Sequence, residues 1–154
     1  MNSLDSHNPS PVKSPLILIV EDSNEDFEAL SRSFRQSSVK VRIHRAETGK
    51  QTLKYLEQSI LEKPAYPENF PALILLDLNL PGMKGQQVLG SIKQNPLLKN
   101  LPVIILTTSH NPMDVRECLR LGANSYLVKK MEWQSFKESM HIMIDYWLNT
   151  VILP

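Results

Sequence analysis

LILIV at Leu16 to Val20 is an unbroken apolar run that stops abruptly at Glu21, Asp22 and Ser23. A strand with one wet face alternates polar and apolar residues. Five apolar residues in succession mark instead a strand covered on both faces, as in a parallel sheet sandwiched between helices. A helix is expected directly after it. Ser23 is a candidate N-cap, Glu25 and Asp26 suit the positive end of a helix dipole, and Phe27, Leu30 and Phe34 recur at helical spacing up to the polar Gln36, Ser37 and Ser38.

The same unit repeats along the chain. Val39, Val41 and Ile43 alternate with Lys40, Arg42 and His44, the pattern of a half-buried edge strand. Leu53, Tyr55, Leu56 and Ile60 predict a second helix, and the three-proline loop EKPAYPENFP leads into ALILLD at 72–77, a second strand of the fully buried type closed by Asp77. LNLPGMKG at 78–85 is turn material. Val88, Leu89 and Ile92 mark a third helix that Pro96 should stop. VIIL at Val103 to Leu106 is the fourth strand, and Asn111 with Pro112 reads as N-cap and first residue of a helix carrying Val115, Cys118 and Leu119 and closed by Gly122. YLV at Tyr126 to Val128 is the fifth strand. A last helix from about Glu132 carries Trp133, Phe136, Met140, Met143, Ile144 and Trp147, followed by the apolar ending VILP.

Five strand–helix alternations give an α/β doubly wound five-stranded parallel sheet, because crossovers between parallel strands are right-handed; the expected strand order is 2-1-3-4-5. In such a sheet ligands bind at the carboxyl ends of the strands. Those ends carry Glu21 and Asp22, then Asp77, then Thr107 and Thr108, then Lys129. Three converging carboxylates repel one another unless a hard cation holds them, and Mg2+ suits carboxylate oxygens, with the backbone carbonyl of Asn79 as a further candidate ligand. Beside such a cation Asp77 can act as a carboxylate nucleophile toward a phosphoryl group, with Lys129 neutralising charge and the Thr107 hydroxyl donating to the phosphoryl. Singly, each residue has a plainer explanation: a helix cap, a turn former, a solvated lysine, a β-branched strand end. Their combination at four strand ends is what points to chemistry.

VED at Val20 to Asp22, LLDLNLPGMKG at Leu75 to Gly85, PVIILTT at Pro102 to Thr108 and GANSYLVKK at Gly122 to Lys130 resemble the receiver domain of two-component response regulators, which has a flavodoxin-like fold. The resemblance implies that Asp77 is the phosphoacceptor, Glu21 and Asp22 the acidic metal pair, Asn79 the carbonyl ligand, Thr107 the switch hydroxyl, Tyr126 the switch aromatic and Lys129 the active-site lysine. The long loop before the third strand, LTTS at Leu106 to Ser109 and DYWLNTVILP from Asp145 are similar to stand-alone receivers paired with cyanobacterial phytochromes. That similarity implies a histidine kinase as partner, a phytochrome among the candidates, and a homodimer through the C-terminal helix, the fifth strand and the tail. It implies no turnover enzyme. The alternative is a phosphorylation-independent pseudo-receiver used for docking.

Three positions depart from the receiver pattern. Glu21 stands where aspartate is commoner, a change that metal binding should survive; Thr108 stands where most receivers keep alanine or glycine, and its branched side chain predicts slower phosphate turnover. Lys130 replaces the usual proline, so the Lys129–Lys130 bond should be trans with a reshaped loop, or cis and strained, since a cis bond not preceding proline costs about 2.5–4 kcal/mol.

Composition narrows the rest. The 154 residues carry 17 Lys plus Arg against 16 Asp plus Glu, a formal charge of +1, which excludes strong electrostatic steering by net charge. Lys93, Lys99, Arg116 and Arg120 are too dispersed to argue for nucleic acid. No run approaches the 18 or so apolar residues of a membrane span, roughly the minimum. One cysteine, Cys118, offers neither an internal bridge nor a zinc cluster, which suits a reducing, cytoplasmic setting. The polar, proline-bearing residues 1–14 read as a disordered arm and 15–154 as a single domain that includes the apolar tail. With so few residues after the last helix, output is expected through contact with a partner.

Overall fold

The computed structural model describes residues 13–62 and 68–154. Most of the expected N-terminal arm, and residues 63–67 of the proline-containing loop, lie outside the described residues. Five strands and five helices alternate: β1 (Leu16–Val20), α1 (Asn24–Arg35), β2 (Arg42–Ala46), α2 (Gly49–Leu61), β3 (Leu73–Leu76), α3 (Gly85–Gln94), β4 (Val103–Thr107), α4 (Pro112–Leu121), β5 (Ser125–Val128) and α5 (Trp133–Ile144). All pairings are parallel and the order is β2-β1-β3-β4-β5. The expected architecture and strand order are both present.

The apolar runs divide by parity, as a strand covered on both faces requires. Leu18, Val20, Ile74, Leu76, Val103 and Ile105 face one way and pack with Leu56 of α2, Val88, Leu89 and Ile92 of α3, and Cys118 of α4. Ile17, Ile19, Leu73, Leu75, Ile104 and Leu106 face the other way, against Leu30 and Phe34 of α1 and Phe136, Met140, Met143 and Ile144 of α5. Each such aliphatic side chain, fully withdrawn from water, contributes about 1.5–3 kcal/mol. A polar residue anywhere in β1 or β3 would therefore be costly, and the first polar side chains appear only where the strands end.

The helix ends follow the local signals. The Ser23 hydroxyl accepts the Asp26 N–H at 3.3 Å, and Asn111 accepts the Met113 N–H at 2.9 Å with Pro112 opening the helix behind it. Gly122 closes α4 at φ 105°, a left-handed conformation that a side chain disfavours.

Two boundaries differ from expectation. The second strand pairs only from Arg42, not Val39, because β1 begins at Leu16 and the register sets Leu16 opposite Arg42; nothing remains for Val39 to Val41 to pair with. Val39, Val41 and Ile43 still pack against the core, so the alternation reported burial correctly and pairing incorrectly. The last helix keeps α geometry only to Ile144, and Asp145–Thr150 winds on as a π-helical turn that contains Trp147. No cis peptide bond occurs among the described residues, so the Lys129–Lys130 bond is trans.

Candidate functional site

The backbone ladder continues one residue past the strands and fixes three of the residues at their ends. The Glu21 N–H donates to the Ala46 carbonyl at 3.0 Å, the Asp77 N–H to Val20 at 3.1 Å and the Lys129 N–H to Thr107 at 2.7 Å. Glu21, Asp77 and Lys129 thus leave the sheet edge from hydrogen-bonded positions rather than from free loops.

The Lys129 ammonium lies at the centre. It donates to Glu21 Oε2 at 2.6 Å, Asp26 Oδ2 at 2.8 Å and Asp77 Oδ2 at 2.9 Å. The side chains of Lys129, Glu21 and Asp77 are 8%, 2% and 7% exposed, whereas that of Asp26 is 43% exposed. Burial pulls the Lys129 pKa down, but the three carboxylates outweigh it and hold the group above the ordinary lysine range, so it stays charged. For Glu21 burial wins: it pushes the carboxyl up to about 7 against the pull of Lys129, with Asp77 adding repulsion.

The remaining oxygens are also oriented. Asp77 Oδ1 accepts the Asn79 N–H and Glu21 Oε1 the Ser23 N–H, each at 3.1 Å. Glu21, Asp22 and the phosphoacceptor candidate Asp77 each offer a carboxylate oxygen within 4.8 Å of the others. Three carboxylate oxygens held this close repel one another, and the same closeness lets them share one divalent cation. The donors are all hard oxygens, which suits a hard divalent cation over a soft one. Asn79 is exposed and follows Asp77 closely enough for its carbonyl to remain a candidate ligand.

Thr107 is fully buried at the end of β4, next to the strand that carries Asp77, and its hydroxyl accepts the Ser109 N–H at 3.4 Å. Thr108 is exposed. Tyr126 is half-buried in β5 and donates its O–H to the Ser109 carbonyl at 2.9 Å, so both side chains bear on the loop between β4 and α4. The sequence-level candidates therefore gather at one edge of the sheet, and the trans bond after Lys129 does not keep its ammonium from Asp77.

Two further residues belong to the site. Asp26, accounted for in the sequence by the helix dipole, supplies the third carboxylate on Lys129. Arg45, at the edge strand, grips the loop that carries the acidic pair: its guanidinium donates to the Glu21 carbonyl at 3.0 Å, the Asp22 carbonyl at 3.2 Å and Asn24 Oδ1 at 2.8 Å. It also lies 4.6 Å from the centre of the Phe27 ring. The Arg45 hydrogen bonds had no signature in the sequence beyond a cation in an alternating strand.

The family model described as "Response regulator receiver domain" matches residues 17–141. Response regulator Rcp1 of Synechocystis sp. is 38% identical over 152 residues, 97% of each chain. Among solved structures, the phosphorylated cyanobacterial phytochrome response regulator RcpA superposes with a TM-score of 0.83 at 32% identity, covering 92% of this chain and 99% of that one. The Mn2+-bound form of Rcp1 superposes with a TM-score of 0.81 at 39% identity, over 91% and 99% of the two chains.

Proposed function

Since the chain belongs to the response regulator receiver domain family, we propose that it accepts a phosphoryl group on Asp77 from a histidine kinase and signals through contacts with a partner. The observation that carries this reading is the pairing of Asp77 with Lys129 at 2.9 Å, both withdrawn from solvent, beside two more acidic side chains able to share a cation. A carboxylate whose only task was to cap a helix or turn would not need a buried ammonium aimed at its free oxygen.

In the proposed reaction an Asp77 oxygen forms the new O–P bond while the P–N bond of a phosphohistidine breaks and the imidazole leaves. Glu21, Asp22 and Asp77, with the Asn79 carbonyl, would hold Mg2+, which supplies positive charge against the phosphoryl oxygens. Lys129 would neutralise charge on the same oxygens, and its compact ammonium can follow oxygens that move. The Asn79 N–H orients Asp77, and the Arg45 fork keeps the acidic pair facing it. The phosphoryl group adds charge near Thr107, whose hydroxyl turns toward it; Tyr126 then gives up the Ser109 carbonyl and moves inward, and the surface of α4, β5 and α5 changes. The product is a modified chain that water later restores, with no turnover of a separate substrate.

The similarity to phytochrome response regulators supports a light-regulated kinase as donor, and the manganese found in Rcp1 supports a divalent ion at the acidic trio. The same similarity supports residues 15–154 acting as one receiver unit and as a homodimer through α5, β5 and the tail. A phosphorylation-independent docking module is disfavoured, because nothing in docking calls for Glu21 and Lys129 to be buried together. The test is labelling by acetyl phosphate with Mg2+. The wild-type chain should gain one phosphoryl group, mapped to Asp77 by mass spectrometry, and Asp77→Asn should gain none; equal labelling of the variant would place the acceptor elsewhere.

A further inference from the structure

A lysine ammonium has three hydrogens and no acceptor, and in Lys129 all three are committed, one each to Glu21, Asp26 and Asp77. Two of those partners have a second claim on them. Glu21 and Asp77 belong to the trio whose oxygens converge within 4.8 Å, so a bound cation competes with Lys129 for both. Asp77 is also the oxygen nucleophile, and its charge changes when it is phosphorylated. Asp26 stands outside the trio and has no part in either event. Of the three partners it is the one that neither the cation trio nor the acceptor role claims.

The geometry suits that task. Asp26 sits in the first turn of α1, where its own N–H is held by the Ser23 cap, so its main chain is fixed. Lys129 arrives from the other side, at the end of β5, 103 residues further along the chain. The contact at 2.8 Å therefore ties the end of the edge strand β5 to α1, the helix that follows β1, across the mouth of the site. Asp26 is also the most exposed of the three carboxylates, which sets it at the rim of the site, and it gives Lys129 an anchor outside the trio.

Resting on Asp77 as phosphoacceptor, we propose that Asp26 is a positioning residue: it holds the Lys129 ammonium at the reacting oxygen when the other two carboxylates are taken up by the cation and the phosphoryl group. With acetyl phosphate as donor, the bond that forms joins phosphorus to an Asp77 oxygen, the acetyl O–P bond breaks, and acetate leaves. Lys129 must be in place as charge moves onto the phosphoryl oxygens, and an unanchored lysine spends much of its time elsewhere.

Asp26→Asn keeps the size and removes the charge. The rate of Asp77 labelling at saturating Mg2+ should fall roughly tenfold, a modest misplacement by the standard of oriented catalytic groups. The Mg2+ concentration for half-maximal rate should move far less, because Asp26 is not among the ligands. Asp26→Glu should recover part of the rate. In a Lys129→Met background, Asp26→Asn should have no additional effect, since a residue acting through Lys129 has nothing left to act on. A second measurement needs neither metal nor labelling. The Lys129 ammonium signal in the 15N NMR spectrum of metal-free protein should be visible in the wild type, its hydrogens being engaged, and should broaden through exchange with water in Asp26→Asn.

An unchanged ammonium signal, wild-type labelling by Asp26→Asn, or an equal loss in the Lys129→Met background would each overturn the proposal. Failure of the wild-type chain to label Asp77 would instead remove the phosphoacceptor reading, while the ammonium signal would still report whether Asp26 anchors Lys129.

Discussion

At Gly85 a single methyl group decides whether the site closes correctly. A Cβ there would lie 2.5 Å from the Asp77 carbonyl oxygen and 2.6 Å from Leu78 Cα, and both are main-chain atoms that cannot rotate away. The start of α3 is thus pressed directly against the backbone of the acceptor residue, with the Gly85 N–H donating to Leu78 at 3.1 Å. Gly85→Ala should cost about 1–3 kcal/mol, the range for overpacking, and lower the urea midpoint accordingly. Because the displaced atoms include Asp77, Mg2+ affinity measured by calorimetry should fall with it; a variant with wild-type stability and affinity would show that the loop yields freely. This contact was not legible in LNLPGMKG, which announces a turn and nothing about what the turn touches. Asp26 was hidden for a different reason. A first-turn acid already has a sufficient local explanation, and its partner is 103 residues away. Glu21 and Asp77 were legible because each is the first polar side chain after a buried strand, Thr107 because it is the polar residue that ends β4, and Lys129 because it directly follows the apolar run of β5, positions fixed by the fold before any chemistry is considered.

At the scale of elements, continuous apolar runs were the clearest signal and edges the weakest. β1, β3 and β4 are buried on both faces, so their composition admits few alternatives, while the start of β2 depends on where its neighbour begins. The end of α5 was obscured because Trp147 continues the apolar stripe after the hydrogen bonding has changed from α to π. Beyond either kind of signal lies a network that joins three elements. Ser109, in the loop before α4, donates its hydroxyl to Asp114 Oδ2 at 2.5 Å, and Gln86 of α3 reaches Asp114 Oδ1 at 3.5 Å. With the Tyr126 contact to the Ser109 carbonyl, the loop is held from α4 and β5 at once. A hydrogen bond to a charged group contributes about 1.5–3 kcal/mol, so Asp114→Ala should speed amide hydrogen exchange across residues 108–114 by roughly tenfold or more. Exchange in α1 should stay as it is. Uniform acceleration over the whole chain would mean that Asp114 supports global stability instead of this loop.

At the scale of the whole molecule, the two core clusters use up the inner faces of the helices, and Trp147 and Leu148 add the C-terminal turn to the cluster formed by α1 and α5. The turn that leads into the apolar ending therefore packs on its own domain. Its outer side does not: Tyr146 is 52% exposed and Ile152 98% exposed, and Ile142 on the preceding helix is 69% exposed. In a closed two-fold dimer each such residue is buried twice, once from each subunit. Fully burying an isoleucine contributes about 1.5–3 kcal/mol, so two copies of Ile152 contribute roughly 3–6 kcal/mol to association, a factor of about 100 or more in Kd. Ile152→Asp should therefore convert a dimer seen by sedimentation at micromolar concentration into a monomer. The thermal midpoint of the isolated protomer should not change, because the side chain touches almost nothing within it. A wild-type chain that sediments as a monomer both with and without beryllofluoride would remove the dimer from the proposed function; a variant that stays dimeric would move the interface away from the tail.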